Sequence, residues 1–239
     1  MCTLDKRGSL FFLTFTGDDQ HRINPNVIGN LLSHLSQVKA QATPGSVLIT
    51  QAQGKFFSNG FDLDWAQAAG SKQGASERLR HMVVLFKSVV ASLLSLPMPT
   101  IASLTGHAAA GGFVLALSHD YIIMRRDRGV LYMSEVDLWL TIPGYVNALF
   151  REKIGDASVR RDVLLRGLKM KGDEAVKRGV VEAAYDGEEE VREASVRMAE
   201  ELGKRKWDGE VYAEIRKGLF PQLSAMVGLG HKKIANPRL

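Results

Sequence analysis

The sequence is short of the residue types that several protein classes require. Its 239 residues contain one cysteine, Cys2, which excludes a disulfide within the chain and favours a reducing compartment. No apolar run is long enough to span a bilayer. The basic residues of the first ten positions are not followed by an apolar region as long as that of a secretory signal. We therefore expect no export by that route and no membrane insertion.

The chain also lacks the motifs of common metal, nucleotide and nucleic-acid sites. No zinc-ligand spacing, recognition-helix motif or aromatic-glycine RNA signature is present. The stretch "AAAGGF" departs from the G-x-G-x-x-G dinucleotide fingerprint. The formal net charge is +5, but acidic residues interrupt the basic runs. Such a dispersed basic surface fits a small phosphate-bearing ligand better than a nucleic acid.

Strand and helix patterns alternate along the first three quarters of the chain. Segments typical of strands are 9–16, 46–50, 99–106, 121–126 and 130–134. Helical periodicity covers 26–41, 75–96, the stretch after the glycines of 107–120, and then 158–166, 172–178, 187–206 and 208–219. The pattern predicts an α/β core followed by a helical C-terminal extension.

Two glycine turns are the most distinctive local features. They are "FSNGFDL" at 57–63 and "GHAAAGGFVLA" at 106–116, and each follows a strand-like stretch, which for the first turn ends in the aromatic pair 56–57, and leads into a helix. The first N–H groups of a helix have no internal partner and carry partial positive charge. Glycine lets a ligand approach the backbone closely, so two such turns facing each other would form an oxyanion hole. Spacing alone also permits two ordinary turns, with Asp62 as a helix N-cap.

These turns resemble the signature regions of a known superfamily. "KFFSNGFDL" and "IASLTGHAAAGGFVLALSHDYIIM" are similar to the two signatures of the crotonases, the enoyl-CoA hydratase/isomerase superfamily. "HRINPNVIGNLLSHL" and "MKGDEAVKRGVVEAAYD" resemble two further blocks, in the family's order. The resemblance implies an α/β fold, a crotonase-like spiral of ββα units. It implies a core with an acyl-CoA site over 1–185 and a helical trimerisation or lid region over 186–239.

The resemblance also implies roles for individual residues. The thioester carbonyl oxygen of an acyl-CoA would accept hydrogen bonds from the backbone N–H groups of Phe61 and Gly111. Contacts to the substrate and its CoA would come from Phe56, Ser58, Asn59, Gly60, Phe61, Asp62, Leu63 and Ala110. A C-terminal lysine, Lys233 or its neighbour Lys232, would meet the CoA phosphates. Coenzyme A is part of the substrate, and neither a separate cofactor nor a metal is implied.

The carboxylates separate the possible reactions. Hydratases of the family carry a glutamate two residues past the double glycine, where this sequence has Val114, whereas their second glutamate corresponds to Glu135. Hydration usually needs a water held between two carboxylates. Moving a double bond needs one base, which takes a proton from C2 and returns it at C4. The resemblance therefore implies a Δ3,Δ2-enoyl-CoA isomerase that converts cis- or trans-3-enoyl-CoA to the trans-2 isomer in fatty-acid β-oxidation. Pro143, eight residues after Glu135, matches the spacing of the mitochondrial-type isomerases.

Several alternatives stay open at this point. The scaffold also supports hydration, another acyl-CoA reaction, or acyl-CoA binding without catalysis. Asp137 is a rival base, and Glu135 is also compatible with a surface acid paired with Arg125 or Arg126. Trp139 lies where the family usually has glycine, so we expect its indole to narrow the acyl pocket or to reshape the loop.

The resemblance predicts an oligomeric assembly, and the last residues predict a cellular location. Family members form trimers, so a homotrimer or a dimer of trimers is expected. The chain ends in Pro-Arg-Leu, which is similar to the Ser-Lys-Leu type of peroxisomal signal. The expected partners are therefore an acyl-CoA thioester and the peroxisomal import receptor, and the expected location is the peroxisome.

Overall fold

The computed structural model describes residues 1–232. Its strands are β1 (Cys2–Arg7), β2 (Leu10–Phe15), β3 (Val47–Ala52), β4 (Phe56–Ser58), β5 (Thr100–Leu104), β6 (His107–Ala109), β7 (Tyr121–Arg125), β8 (Val130–Tyr132), β9 (Met170–Lys171) and β10 (Ala183–Tyr185). Its helices are α1 (Pro25–Ala40), α2 (Leu63–Gln67), α3 (Lys72–Leu94), α4 (Gly111–Leu117), α5 (Gly144–Lys153), α6 (Ala157–Arg166), α7 (Gly172–Lys177), α8 (Glu188–Lys204), α9 (Gly209–Leu219) and α10 (Pro221–Met226). No helix in this part of the chain is long and apolar enough to cross a membrane.

The predicted strands and helices are confirmed, with ends shifted by a few residues. Sequence patterns missed β1 because four of its six residues are polar or charged and it is largely exposed. They also missed α5, which follows Pro143 with no side-chain cap and buries Tyr145, Val146 and Leu149. Without an N-terminal side-chain cap, helix α5 depends largely on packing of its buried face.

The strands form two sheets. The larger sheet has the order β1-β2-β3-β5-β7-β10, and the smaller has the order β4-β6-β8-β9. All pairs in the larger sheet are parallel except the β1–β2 hairpin. In the smaller sheet, β4, β6 and β8 pair in parallel and only β9 is antiparallel.

A ββα unit repeats three times through the core. The pairs β3–β4, β5–β6 and β7–β8 each place their first strand in the larger sheet and their second in the smaller one. The helices α2 and α3 follow the first pair, α4 follows the second, and α5 comes after the third. Since β4, β6 and β8 are parallel neighbours, their carboxyl ends meet at one edge of the smaller sheet.

Helix α3 supplies much of the core beside that edge. Its side chains Phe86, Val89, Val90 and Leu93 are fully or almost fully buried at helical spacing, and α3 packs against α1 and α2. Burying one such side chain stabilises a fold by roughly 1.5–3 kcal/mol. Phe86 also meets the ring of Phe61 edge-on at 5.5 Å, so the core directly supports the first glycine turn.

The C-terminal helices pack on the core of the same chain. Helix α8 covers the larger sheet through Val191, Ala194 and Ala199, and α10 packs on α5. Helix α9 is anchored by buried Arg216, which bonds the Asp120 carboxylate at 2.6 Å. The predicted boundary at residues 185/186 falls in the loop between β10 and α8, and the division into two regions stays a prediction.

Candidate active site

Three loops converge at the carboxyl edge of the smaller sheet. Phe61 lies three residues after β4, Gly111 lies two after β6, and Glu135 lies three after β8. Because these strands are parallel neighbours, the loops that follow them lie side by side. Each ββα unit thus delivers one of the three residues to the same edge.

The first turn is held from two sides. Gly60 has φ +76°, a conformation that favours glycine. The Ile23 N–H donates to Gly60 O at 2.8 Å, and the Asp62 N–H donates to Ile23 O at 3.0 Å. The Asp62 carboxylate accepts the Trp65 N–H at 2.9 Å as N-cap of α2, and it accepts a second bond from Asn24 Nδ2 at 3.0 Å. These bonds leave the turn little freedom.

The second turn contains a strained residue. Ala110, the N-cap of α4, has φ +49° and ψ −119°, and such backbone costs a non-glycine residue about 1–3 kcal/mol. The Ala110 N–H donates to Tyr132 O at 2.9 Å. This bond ties the second turn to β8, the strand that leads to Glu135.

The two turns pack backbone against backbone. A Cβ built on Gly112 would lie 2.2 Å from Ser58 O, and one built on Gly60 would lie 3.3 Å from Gly111 N. Real Cβ atoms essentially never approach within 3.0 Å of such neighbours. Glycine at residue 112 is therefore required for the close approach of the two turns.

The backbone N–H groups of Phe61 and Gly111 stand out among their neighbours. The adjacent N–H groups of Asp62 and Ala110 donate to Ile23 O and Tyr132 O. Within residues 1–232, neither the Phe61 nor the Gly111 N–H has a hydrogen-bond acceptor. Free backbone N–H groups are the kind of donor from which an oxyanion hole is built.

Glu135 lies in the loop after β8 with part of its carboxylate buried. Its backbone oxygen accepts N–H bonds from Leu138 and Leu140, which closes the loop into a compact turn. Its Oε2 atom is buried and has no hydrogen-bond partner among the described residues. Burial raises the pKa of Glu135 above its ordinary value of 4.5. A buried carboxylate with an unpaired oxygen and a raised pKa is suited to proton transfer.

The arginines that were alternative partners of Glu135 are engaged elsewhere. Arg125 pairs with Asp127 at 2.7 Å, and Arg126 pairs with Asp173 at 3.3 Å. The interpretation of Glu135 as a surface acid paired with one of them is therefore wrong.

The sequence of residues 8–219 matches the model of the enoyl-CoA hydratase/isomerase family. The chain belongs to this family. Enoyl-CoA delta isomerase 2, peroxisomal, from Arabidopsis thaliana is 61% identical over 240 residues, which cover all of both chains. Enoyl-CoA delta isomerase 3 from the same plant is 58% identical, again over the full length of both.

Solved structures of family members share the fold. A probable enoyl-CoA hydratase from Mycobacterium tuberculosis superimposes with a TM-score of 0.82 over 95% of this chain and 92% of that chain. Its sequence is only 18% identical, so this likeness concerns the fold alone. The predicted α/β, crotonase-like fold is confirmed.

Trp139 departs from the family in an unexpected way. Its side chain is 95% exposed, so the expectation that the indole narrows the acyl pocket is wrong for this chain. Its φ of +57° is in the left-handed region, which suits the glycine that the family usually has there. The loop keeps a turn that glycine would adopt, and the indole points into solvent.

The predicted contacts of the first turn differ in what their side chains offer. The hydroxyl of Ser58 donates to His21 O, and the amide of Asn59 donates to Gln20 Oε1 at 2.6 Å. Because both side chains are engaged within the protein, their expected contact with a ligand would use backbone atoms. Phe56 is buried.

Leu63, the first residue of α2, is half-buried. Ala110 is the strained N-cap of the second turn, and its expected contact with the substrate stays a prediction. Lys233 lies outside the described residues, so its expected contact with CoA stays a prediction. The N–H of its neighbour Lys232 donates to Glu214 Oε2 at 2.6 Å. Within the described residues, no group of three or more histidines, cysteines and acids could hold a metal ion.

Sequence reasoning missed the segment that holds the first turn. No helix or strand is predicted for residues 18–24, yet this segment contacts residues 58–62 through hydrogen bonds of Gln20, His21, Ile23 and Asn24. The block "HRINPNVIGNLLSHL" was the only signal, and it marked a resemblance rather than a contact.

Replacing Gly112 by alanine tests the backbone contact between the turns. The added Cβ would lie 2.2 Å from Ser58 O, so we expect Gly112→Ala to lower the free energy of unfolding by about 1–3 kcal/mol. Gly29→Ala in α1 is the matched control, since its Cβ meets nothing within 4 Å. It should be neutral or stabilise by up to about 1 kcal/mol. Urea unfolding of both variants measures the difference, and equal stabilities would contradict the tight contact.

Proposed function

We propose that this protein is a Δ3,Δ2-enoyl-CoA isomerase that shifts a cis- or trans-3 double bond of an acyl-CoA to trans-2. The observation that carries the proposal is the Glu135 carboxylate, whose Oε2 atom is buried and has no hydrogen-bond partner among the described residues, in the loop beside the turns where the N–H groups of Phe61 and Gly111 are free. The full-length likeness to two proteins named enoyl-CoA delta isomerase, at 61% and 58% identity, supports it.

The reaction follows from these three groups. The thioester carbonyl oxygen accepts hydrogen bonds from the Phe61 and Gly111 N–H groups. The Glu135 carboxylate removes a proton from C2, and the negative charge spreads over a dienolate whose oxygen remains between the two donors. Glu135 then returns the proton at C4, which leaves the double bond between C2 and C3. One oxyanion donor contributes on the order of 10²–10³ in rate and a positioned base about 10²–10⁴.

The surroundings of Val114 disfavour hydration. At this position, where the family's hydratases carry a second glutamate, the chain has a valine that is 3% exposed and belongs to the main apolar cluster. An apolar side chain there cannot orient or activate a water molecule. A single base without a bound nucleophile favours proton transfer within the substrate.

The proposed substrate is an acyl-CoA thioester. Coenzyme A is part of that substrate, and the proposed reaction uses no separate cofactor. We place the protein in the peroxisome, because the name of its 61% identical relative describes that protein as peroxisomal. Recognition by an import receptor stays a prediction, because the final Pro-Arg-Leu lies outside the described residues. Assembly into a homotrimer or a dimer of trimers through the C-terminal region is likewise proposed.

An assay with three substrates tests the proposed reaction. Purified protein is incubated with cis-3-, trans-3- and trans-2-enoyl-CoA, and the products are separated by chromatography. We expect both 3-enoyl substrates to be converted to trans-2-enoyl-CoA, with no 3-hydroxyacyl product from the third. Hydroxyacyl product would indicate a hydratase. Binding without turnover would indicate a non-catalytic relative, and either result would overturn the proposal.

Glu135→Gln tests the base. We expect turnover to fall by about 10²–10⁴-fold, while acyl-CoA affinity, measured by calorimetry, changes less than severalfold. Because burial raises the pKa of Glu135, the ionised carboxylate destabilises the fold above that pKa, and the neutral amide should leave Tm unchanged or higher. Asp137→Asn, which alters the exposed carboxylate of the same loop, is the control and should retain turnover. Loss of turnover in Asp137→Asn alone would assign the base to Asp137.

The pH dependence tests the environment of the base. Glu135 must be ionised to accept the C2 proton, so kcat/KM should fall as the pH decreases through its pKa. Burial raises that pKa, so the midpoint of the acid limb should lie above the ordinary glutamate value of 4.5. A midpoint at or below 4.5, measured in the free-enzyme profile, would contradict a buried base.

A further inference from the structure

Ser58 occupies an unusual position behind the first turn. Its side chain is fully buried, and its hydroxyl donates to His21 O at 2.8 Å. The same oxygen accepts the N–H of Gly60 at 3.3 Å. The hydroxyl therefore joins two backbone segments that are 37 residues apart in sequence.

The second turn packs against Ser58 from the other side. A Cβ on Gly112 would lie 2.2 Å from Ser58 O and 2.9 Å from Ser58 Cβ. Ser58 is thus wedged between the segment around His21 and the start of α4, which carries the Gly111 N–H. A shift of Ser58 changes the separation of the two turns.

The segment that receives the Ser58 hydroxyl is itself fixed. Asp18 Oδ1 accepts the N–H groups of Gln20 and His21 at 2.8 and 2.9 Å. His21 has φ +46° and is buried, with its ring Nε2 2.7 Å from Gln53 O. A fixed acceptor of this kind can hold the hydroxyl in one orientation.

The direction of the Phe61 N–H depends on the peptide planes on either side of Gly60. In a trans peptide the N–H points opposite to the preceding C=O. The bond from Ile23 N–H to Gly60 O therefore aims the Phe61 N–H away from Ile23. The peptide plane before Gly60 is held by the bond from its N–H to the Ser58 hydroxyl. With both planes held, the freedom that glycine adds at φ +76° is removed.

We propose that Ser58 is a positioning residue of the isomerase. Its hydroxyl acts through Gly60 and holds the Phe61 N–H in line with the substrate carbonyl. This inference rests on the proposed function. Removing the hydroxyl leaves the Gly60 N–H and His21 O without their partner and lets the turn relax. Since a small misplacement of a catalytic group lowers the rate steeply, part of that donor's contribution is lost.

The test compares Ser58→Ala with Ser195→Ala. Ser195, in helix α8, is also fully buried. Its hydroxyl donates to Val191 O at 2.7 Å and lies 2.9 Å from Ser103 Oγ in strand β5, where α8 packs on the larger sheet. Both variants lose a buried hydroxyl and should lower Tm. Only Ser58→Ala should lower kcat, by about tenfold, with KM within twofold of the wild type. Equal kcat values in the two variants would overturn the inference.

A spectroscopic measurement separates positioning from turnover. A saturated acyl-CoA with a ¹³C thioester carbonyl cannot isomerise, and the N–H donors should lower its carbonyl stretching frequency when it binds. We expect a smaller lowering in Ser58→Ala than in the wild type or Ser195→Ala. If wild-type protein lacks isomerase turnover but this pattern holds, the proposed function fails and the positioning role stands. An unchanged frequency in Ser58→Ala refutes that role even if the wild type isomerises.

Ser58→Cys keeps the measurement informative if Ser58→Ala does not fold. The thiol is a weaker donor and acceptor in nearly the same shape, so kcat should be lower and the carbonyl stretching frequency of the bound ligand higher than in the wild type. Wild-type values in a folded Ser58→Cys protein would count against the hydroxyl.

Discussion

The close contact between two glycine turns is the constraint on which the site depends. Gly112 lies so near Ser58 O that a Cβ there would be 2.2 Å away. This approach brings the loops after β4 and β6 together, and the bond from Ala110 N–H to Tyr132 O adds β8 and its loop. Strained backbone such as that of Ala110 persists only where the surrounding structure fixes it, and here the bond to Tyr132 O and the close approach of Gly60 do so.

The repeated ββα unit explains how three distant segments build one site. Each unit sends its second strand to the smaller sheet, and each contributes one group at the carboxyl edge: the Phe61 N–H, the Gly111 N–H and the Glu135 carboxylate. In the proposed reaction the two backbone donors bind the thioester oxygen, and their position depends on chain conformation rather than on side-chain identity. The choice of reaction then depends on side chains, here a buried valine at 114 and an acid at 135.

Sequence patterns were reliable where the signal was local. The helix α3 and strand β3 follow from apolar periodicity and β-prone residues, and Asp62 is the N-cap that its position suggested. Patterns failed where packing decides: α5 has no side-chain cap. Trp139 was expected near the acyl pocket but is exposed, since the direction of a side chain depends on a φ angle that residue type alone does not reveal.

By itself the sequence determined the α/β class and the two glycine turns, which are properties of residue identity and short-range spacing. Its resemblance to the family implied one acid where family hydratases have two. Only the tertiary structure decided that Glu135 Oε2 is buried without a hydrogen-bond partner, that Arg125 and Arg126 pair elsewhere, and that residues 18–24 hold the first turn. Such features depend on contacts between residues tens of positions apart, and burial and pKa are properties of that environment rather than of the residue.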